Sequence, residues 1–220
     1  MGLQDKFDKY SGGAGAEYFH LANDKDTAIV RFLYTTEDDV DKHGSVVIHD
    51  VEIDGKNRKV KCLLQNCPLC EAGIKNRARL LLQLIEYDEE GNKKDGGKVK
   101  VWDRGKRILP DIIDMLNRYA PLYRFTTEIV RHGEKNDPNT QYRLYPQLDD
   151  EKTFIEDTEE AREEMKELRE EIIGENNMVI ERDKEDLKKI AEGTFTFNNG
   201  TNDGQSDTEK TSSRNPASYF

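Results

Sequence analysis

No stretch of the 220-residue chain holds the roughly 18 consecutive apolar residues that a membrane-spanning helix needs, so no transmembrane segment is predicted. The opening MGLQDKFDKYSGG lacks the basic-then-apolar order of a secretory signal, and the expectation is a soluble, intracellular protein. Cysteine is scarce. Three residues, an odd number in a chain without a secretory signal, argue against a disulfide framework and leave thiolate chemistry or metal binding. Apolar residues make up only 35% against 36% charged, so part of the chain is expected to lie outside a packed core. The HExxH, GxxxxGK[ST] and Gly-Ser nucleophile signatures are missing, and no compact Asp/Glu/His set stands outside the charged helices. No enzymatic activity is expected.

Charge is unevenly spread. Residues 1–148 carry 24 basic and 24 acidic groups, whereas 149–220 carry 10 and 21, so the net charge of −11 belongs to the C-terminal part. Residues 46–148 hold 19 Lys or Arg against 15 Asp or Glu, a slight excess that permits a polyanion ligand without demanding one.

The polar, Gly-rich start reads as a flexible arm over 1–16. Strand-like runs follow: TAIVRFLY (27–34), SVVIHDVEI (45–53), KNRKVKCL (56–63), RLLLQLIEYD (79–88), KVKVWDRG (98–105), FTTEIVRHG (125–133) and QYRLYPQL (141–148), with turn formers between them. One helix, KRILPDIIDMLNRYA (106–120), interrupts them before the last two strands, with Pro110 tolerated if it lies in the first turn. This order predicts a mainly β fold over 17–148, an OB-type barrel, with an unrelated α+β domain as the alternative. Past Asp149, FIEDTEEAREEMKELREEIIG and ERDKEDLKKIAEG read as charged helices with few apolar anchors within 149–193. Residues 194–220 read as a disordered acidic tail.

All three cysteines fall within KCLLQNCPLC. Cys67 and Cys70 form a CxxC knuckle whose turn lets two thiolates converge on one ion, and Cys62 can supply a third. A fourth ligand is needed. His49 is best placed, because the hairpin turn EIDGKNR folds its strand back toward Cys62; His43 is the fallback. A closed Cys3His set over about 43–78 would staple a subdomain around one structural Zn²⁺. A redox CxxC and inert buried cysteines are the competing readings.

Nucleic-acid binding needs cations for phosphates and aromatic faces for bases. In KVKVWDRG, alternation puts Lys98, Lys100, Trp102 and Arg104 on one face and Val99 and Val101 on the other, so the only tryptophan is expected on an exposed binding face. Arg31, Tyr34, Lys59, Lys61, Lys106, Arg107, Arg131 and Arg143 could extend the track.

Taken in order, DTAIVRFLY, VVIHDVEIDGKNRKVKCL, CPLCEAG, KVKVWDRG and TQYRLYPQL resemble the single-stranded DNA-binding proteins of tailed bacteriophages over about residues 17–148. The resemblance implies an OB fold with an inserted zinc subdomain whose ligands fall on His49, Cys62, Cys67 and Cys70. It implies sequence-independent coating of single strands during phage replication, recombination and repair, in the cytoplasm of an infected bacterial host. It also implies that the acidic tail, with Phe220 as a terminal anchor, recruits phage or host replication and recombination proteins. Two features depart from the family: the loop between Cys62 and the CxxC is shorter, and the N-terminal arm is not basic. An alternative from another class is a zinc-stapled adaptor whose acidic helices bind protein.

Overall fold

The computed structural model describes residues 17–135, 137–175 and 177–197. The arm over 1–16, Phe220 and the tail from 198 onward lie outside the described residues. The strands are β1 (Glu17–Tyr18), β2 (Thr27–Phe32), β3 (Ser45–Ile53), β4 (Lys56–Lys61), β5 (Asn76–Tyr87), β6 (Val99–Arg104), β7 (Thr126–His132) and β8 (Gln141–Gln147), of which β2, β3, β5 and β6 are the richest in Val, Ile and Leu. The predicted helix is α3 (Leu109–Tyr119), with Pro110 in its first turn, where a missing N–H costs nothing. Two helices were not foreseen. In α1 (Glu37–Gly44) the Thr36 hydroxyl caps the Asp39 N–H, and α2 (Pro68–Glu71) is the single turn after Cys67. The charged region supplies α4 (Glu159–Leu168), the short strands β9 (Ile173–Gly174) and β10 (Val179–Ile180), and α5 (Lys184–Ala191).

The chain is therefore mainly β: ten strands share one mixed sheet, with five α-helices among the described residues. The pairing path runs β8-β7-β2-β5-β3-β4-β10-β9, and β6 branches from β5 to reach β1. Asp54 and Gly55 join β3 to β4 with φ of 51° and 71°. Two successive left-handed residues are what a two-residue hairpin turn requires, and Asp-Gly accepts them readily.

β5 organises the core because both its faces are covered. Leu80, Leu82 and Leu84 pack with Val30, Phe32, Trp102 and the α3 residues Ile112, Met115 and Leu116. On the other face Ile85 and Tyr87 meet Val99 and Met165, while Leu81 meets Val101, Ile172 and Val179. A nearly continuous apolar run such as LLLQLI suits a strand buried on both sides better than one exposed on one side.

Met165, Ile172 and Val179 come from the region that composition reads as short of apolar anchors. Polar contacts hold it as well. The buried Gln83 side chain accepts from the Glu170 N–H at 2.7 Å and donates to the Glu170 carbonyl at 3.0 Å, as a neighbouring strand would. Arg169 bonds Asp39 at 2.6 Å with both side chains largely enclosed. Burial works to raise the Asp39 carboxyl, but the Arg169 guanidinium and the Thr35 donors bring it below its ordinary value. The charged segment is thus a docked strap across the sheet.

Candidate metal centre and basic cleft

Register brings the cysteines to the histidine. His49 pairs with Val60 across the β3–β4 hairpin and with Asn76 of β5. Side chains repeat to the same face every second residue, so Cys62, two past Val60, returns to the face of His49. The Cys62 N–H donates to the Val47 carbonyl at 2.8 Å and prolongs the pairing beyond β4. Then α2 turns the knuckle back over the hairpin. His49 Nε2 lies 3.5 Å from Cys67 Sγ and 3.6 Å from Cys70 Sγ, and Cys62 Sγ lies 3.6 Å from Cys70 Sγ. The four donor atoms all fall within 4.8 Å of one another.

The three separations of 3.5–3.6 Å fit a tetrahedral ion. Metal–sulfur bonds near 2.3 Å and metal–nitrogen bonds near 2.0–2.1 Å place neighbouring donors about 3.5–3.8 Å apart. The surroundings fit too. His49 Nδ1 faces the Lys75 carbonyl at 3.3 Å, which favours the tautomer that leaves Nε2 free to ligate. The Leu64 N–H points at Cys62 Sγ at 3.3 Å, and Asn76 Nδ2 reaches Cys62 and Cys70 at 3.6 and 3.5 Å. Burial works to raise the Cys67 thiol, but the Leu63, Cys70 and Leu69 N–H groups bring it below its ordinary value. Cys70 is pushed up to about 11 by desolvation and by its two thiol neighbours. Three crowded thiols resist ionising together, and a cation among them reverses that penalty. The four residues can hold a metal ion, and the set is compatible with structural zinc.

Asn76→Ala removes two N–H donors to thiolate sulfur while leaving every ligand in place. Metal affinity is expected to fall about tenfold or more, in the range usual for groups that hydrogen-bond to a metal's ligands. Competition against a chromophoric chelator measures it, and an unchanged constant would show that Asn76 is a bystander.

The twelve residues proposed from sequence for nucleic acid divide into three groups. Arg31, Tyr34 and Trp102 are buried and belong to the fold. Arg31 bonds the Tyr87 hydroxyl at 3.0 Å and the Tyr123 and Thr153 carbonyls, so it ties the C-terminal region to β2. The Tyr34 hydroxyl lies between the Leu81 carbonyl and the Gln83 N–H. Trp102 packs inward against Phe19, Phe32 and Tyr142. The alternation in β6 holds, but the face carrying Trp102 looks into the core rather than toward solvent.

A second group is neutralised. Lys98 pairs with Glu17 at 2.9 Å, Lys61 with Glu181 at 2.6 Å, and Lys59 with Asp103, which also binds Arg79. Burial works against the Lys100 charge, but Asp95 and Glu86 on either side hold it above the ordinary lysine value.

The third group converges. Arg104, Lys106, Arg107, Arg131 and Arg143 line one cleft of about 770 Å³. The structure adds Arg79 and Tyr142 to it, which sequence reasoning missed; only the register Leu80↔Arg104 brings Arg79 to this end of the sheet. Asp111 and Asp137 are the opposing carboxylates in the lining and Arg79 is already paired with Asp103, so the other five cations face two anions.

Arg104 is the central cation. Its guanidinium lies 4.2 Å from the Tyr142 ring centroid and 5.0 Å from that of Trp102, and its buried Nε has no hydrogen-bond partner among the described residues. Burial pushes it below the ordinary arginine value. Arg131 is the frame beneath, bonding the Leu21, Gly133 and Glu134 carbonyls, the Thr140 hydroxyl and the Tyr142 hydroxyl. Arg107 bonds the Pro138 carbonyl at 2.7 Å across the cleft. Lys106 and Arg143 are exposed and form no ion pair among the described residues. Such a cleft can accept phosphates at its rim and a flat, electron-rich ring against Arg104 and Tyr142. No helix among the described residues is long and apolar enough to cross a membrane. No protein-family model matches the chain, and no curated protein matches it.

Proposed function

We propose that the protein binds single-stranded DNA without sequence preference and coats it during phage replication, recombination and repair, in the cytoplasm of an infected bacterial host. The scaffold is read as an OB-type barrel, with one structural Zn²⁺ on His49, Cys62, Cys67 and Cys70 bracing the adjoining lobe. No catalytic role is assigned. The acidic C-terminal part, Phe220 included, is read as the contact for phage or host replication proteins.

The observation that carries this reading is the basic cleft beside Tyr142, in which Arg104 is desolvated against the ring and forms no ion pair among the described residues. Cations whose charge is not cancelled internally are the ones that release counterions from a phosphate backbone. An aromatic ring beside them offers stacking to any base, which is why such sites tolerate every sequence.

Fluorescence anisotropy with labelled oligo-dT, a duplex control and a salt series tests the reading. Tight binding to the single strand, weakening linearly in log affinity against log salt, is expected. Arg143→Ala should flatten that slope by about 0.7, the value for one lost phosphate contact on a single strand. Tyr142→Ala should cost about 1–3 kcal/mol per stacked base at constant slope. No binding at low salt would sink the proposal and favour the adaptor alternative.

A further inference from the structure

The metal cluster and the last described helix share one hydrophobic core, although they lie far apart in sequence. Leu187 and Ile190 of α5 are buried in the same group as Val60, Cys62, Cys67 and Leu69. Ile180 of β10 pairs in parallel with Val60, and Glu181 bonds Lys61 at 2.6 Å, directly before Cys62. Beyond α5, Phe195 and Phe197 meet edge to face at 5.5 Å. The Arg182 guanidinium lies 5.7 Å from both ring centroids, and Arg58 of β4 lies 5.5 Å from that of Phe197. The Phe197 N–H reaches Asp54 at 3.1 Å, at the tip of the hairpin that carries His49. Segment 179–197 therefore grips the hairpin from its turn to its metal-binding end.

Neither partner has much stability alone. The lobe is the far part of the β3–β4 hairpin plus one helical turn, backed by β5 only over Ser45–His49, and a hairpin without further backing is marginal in water. The segment is a two-residue strand and an eight-residue helix, too short to persist without a surface to pack on. The cluster that buries Leu187 and Ile190 joins β-strand residues Val51, Ile53, Val60 and Ile180 to two of the ligands, Cys62 and Cys67, and to Leu69 inside the knuckle, and α2 packs directly on α5. Losing the ion removes the cross-link that holds this surface in shape.

We propose that segment 179–197 is a metal-dependent clasp: it stays docked only while the Cys3His cluster holds its ion, and while docked it slows the ion's release. The clasp rests on the zinc reading above and is independent of DNA binding. Linkage requires that docking tighten the equilibrium hold on the ion, since whatever favours the docked form also favours the loaded one; slower release is the kinetic form the clasp gives it. Loss of metal thus frees segment 179–197 from the hairpin.

Hydrogen exchange on the full chain, zinc-loaded, chelated and reloaded, tests the first half. Amides of 179–197 are expected to exchange about tenfold faster or more after chelation, with β2 and β7 unchanged and protection restored by zinc. The second half is read from zinc transfer to a chromophoric chelator, expected about tenfold faster in Leu187→Ala than in the parent. If Leu187→Ala does not fold, Phe197→Ala at the rim should show a smaller change of the same sign. A chain that takes up no zinc overturns the zinc reading and the clasp together. Zinc uptake with unchanged exchange in 179–197 overturns the clasp alone, as does equal acceleration in β2 and β7. Parental zinc transfer in both variants overturns the reciprocal half.

Discussion

Replacing Cys67 with serine is expected to abolish stoichiometric zinc and to unfold one lobe while sparing the other. Serine is nearly isosteric with cysteine, so packing in the pocket changes little. A hydroxyl does not ionise at neutral pH to give the soft anionic ligand that a thiolate provides. Cys67 is 1% exposed and lies at the N-terminus of α2, 3.5 Å from His49 Nε2, so no water can take over its position without displacing the knuckle. Structural zinc contributes about 10–16 kcal/mol of apparent binding free energy in small metal-folded units. A lobe as small as this has no comparable reserve of apolar burial. Metal analysis should give about one zinc per chain for the parent and almost none for Cys67→Ser after dialysis. Calorimetry should then resolve an early-melting lobe, because the main core around Val30, Phe32, Leu82 and Trp102 contains no ligand. A variant that keeps its zinc, or melts as the parent does, would mean that the other three ligands suffice and that the cluster is not a staple.

Much of this lobe was legible in the sequence because local chemistry specifies it. CPLC sets the knuckle, Asp54-Gly55 sets a two-residue turn, and the turn fixes the register that returns Cys62 to His49. The strand SVVIHDVEI coincides with β3, and α3 begins where Pro110 allows it. What was not legible depends on parts of the chain far apart in sequence. An arginine in a strand reads as a surface residue, yet Arg31 finds its acceptors on Tyr87, Tyr123 and Thr153 and is only 2% exposed. The charged region reads as a solvated helix pair because its anchors are single residues. Met165, Ile172 and Val179 are too sparse to form a pattern, and the Gln83–Glu170 and Arg169–Asp39 contacts have no sequence signature. Once that strap covers the Val99 and Val101 side of β6, both faces of the strand are enclosed. Periodicity identifies which residues share a face but not whether that face meets solvent.

Trp102 follows from this last point, and its replacement by alanine is expected to act on the fold before it acts on binding. The indole is fully buried, with Phe19 at 6.1 Å, Phe32 at 6.2 Å and Tyr142 at 5.2 Å between ring centroids. Emptying such a site removes the transfer free energy of a large aromatic side chain and leaves a cavity, together about 3–5 kcal/mol. That is a large fraction of the stability of an ordinary domain, so urea unfolding should shift strongly while the parent's Cys3His metal content is retained. The indole N–H has no hydrogen-bond partner among the described residues, so losing it adds no unpaired acceptor to the cost. Trp102→Phe separates the two roles. Phenylalanine keeps an aromatic ring against Tyr142 and Arg104, so oligonucleotide affinity should stay at the parental value while stability falls by less than in the alanine variant. Loss of affinity in Trp102→Phe at unchanged stability would place the indole in contact with the bases and contradict its position in the core. The same geometry sets what fluorescence can report. On the proposed DNA-binding reading, a change in Trp102 emission on adding DNA is expected to pass through Tyr142 and Arg104, and Tyr142→Ala should therefore blunt the signal even at DNA concentrations high enough to saturate the protein.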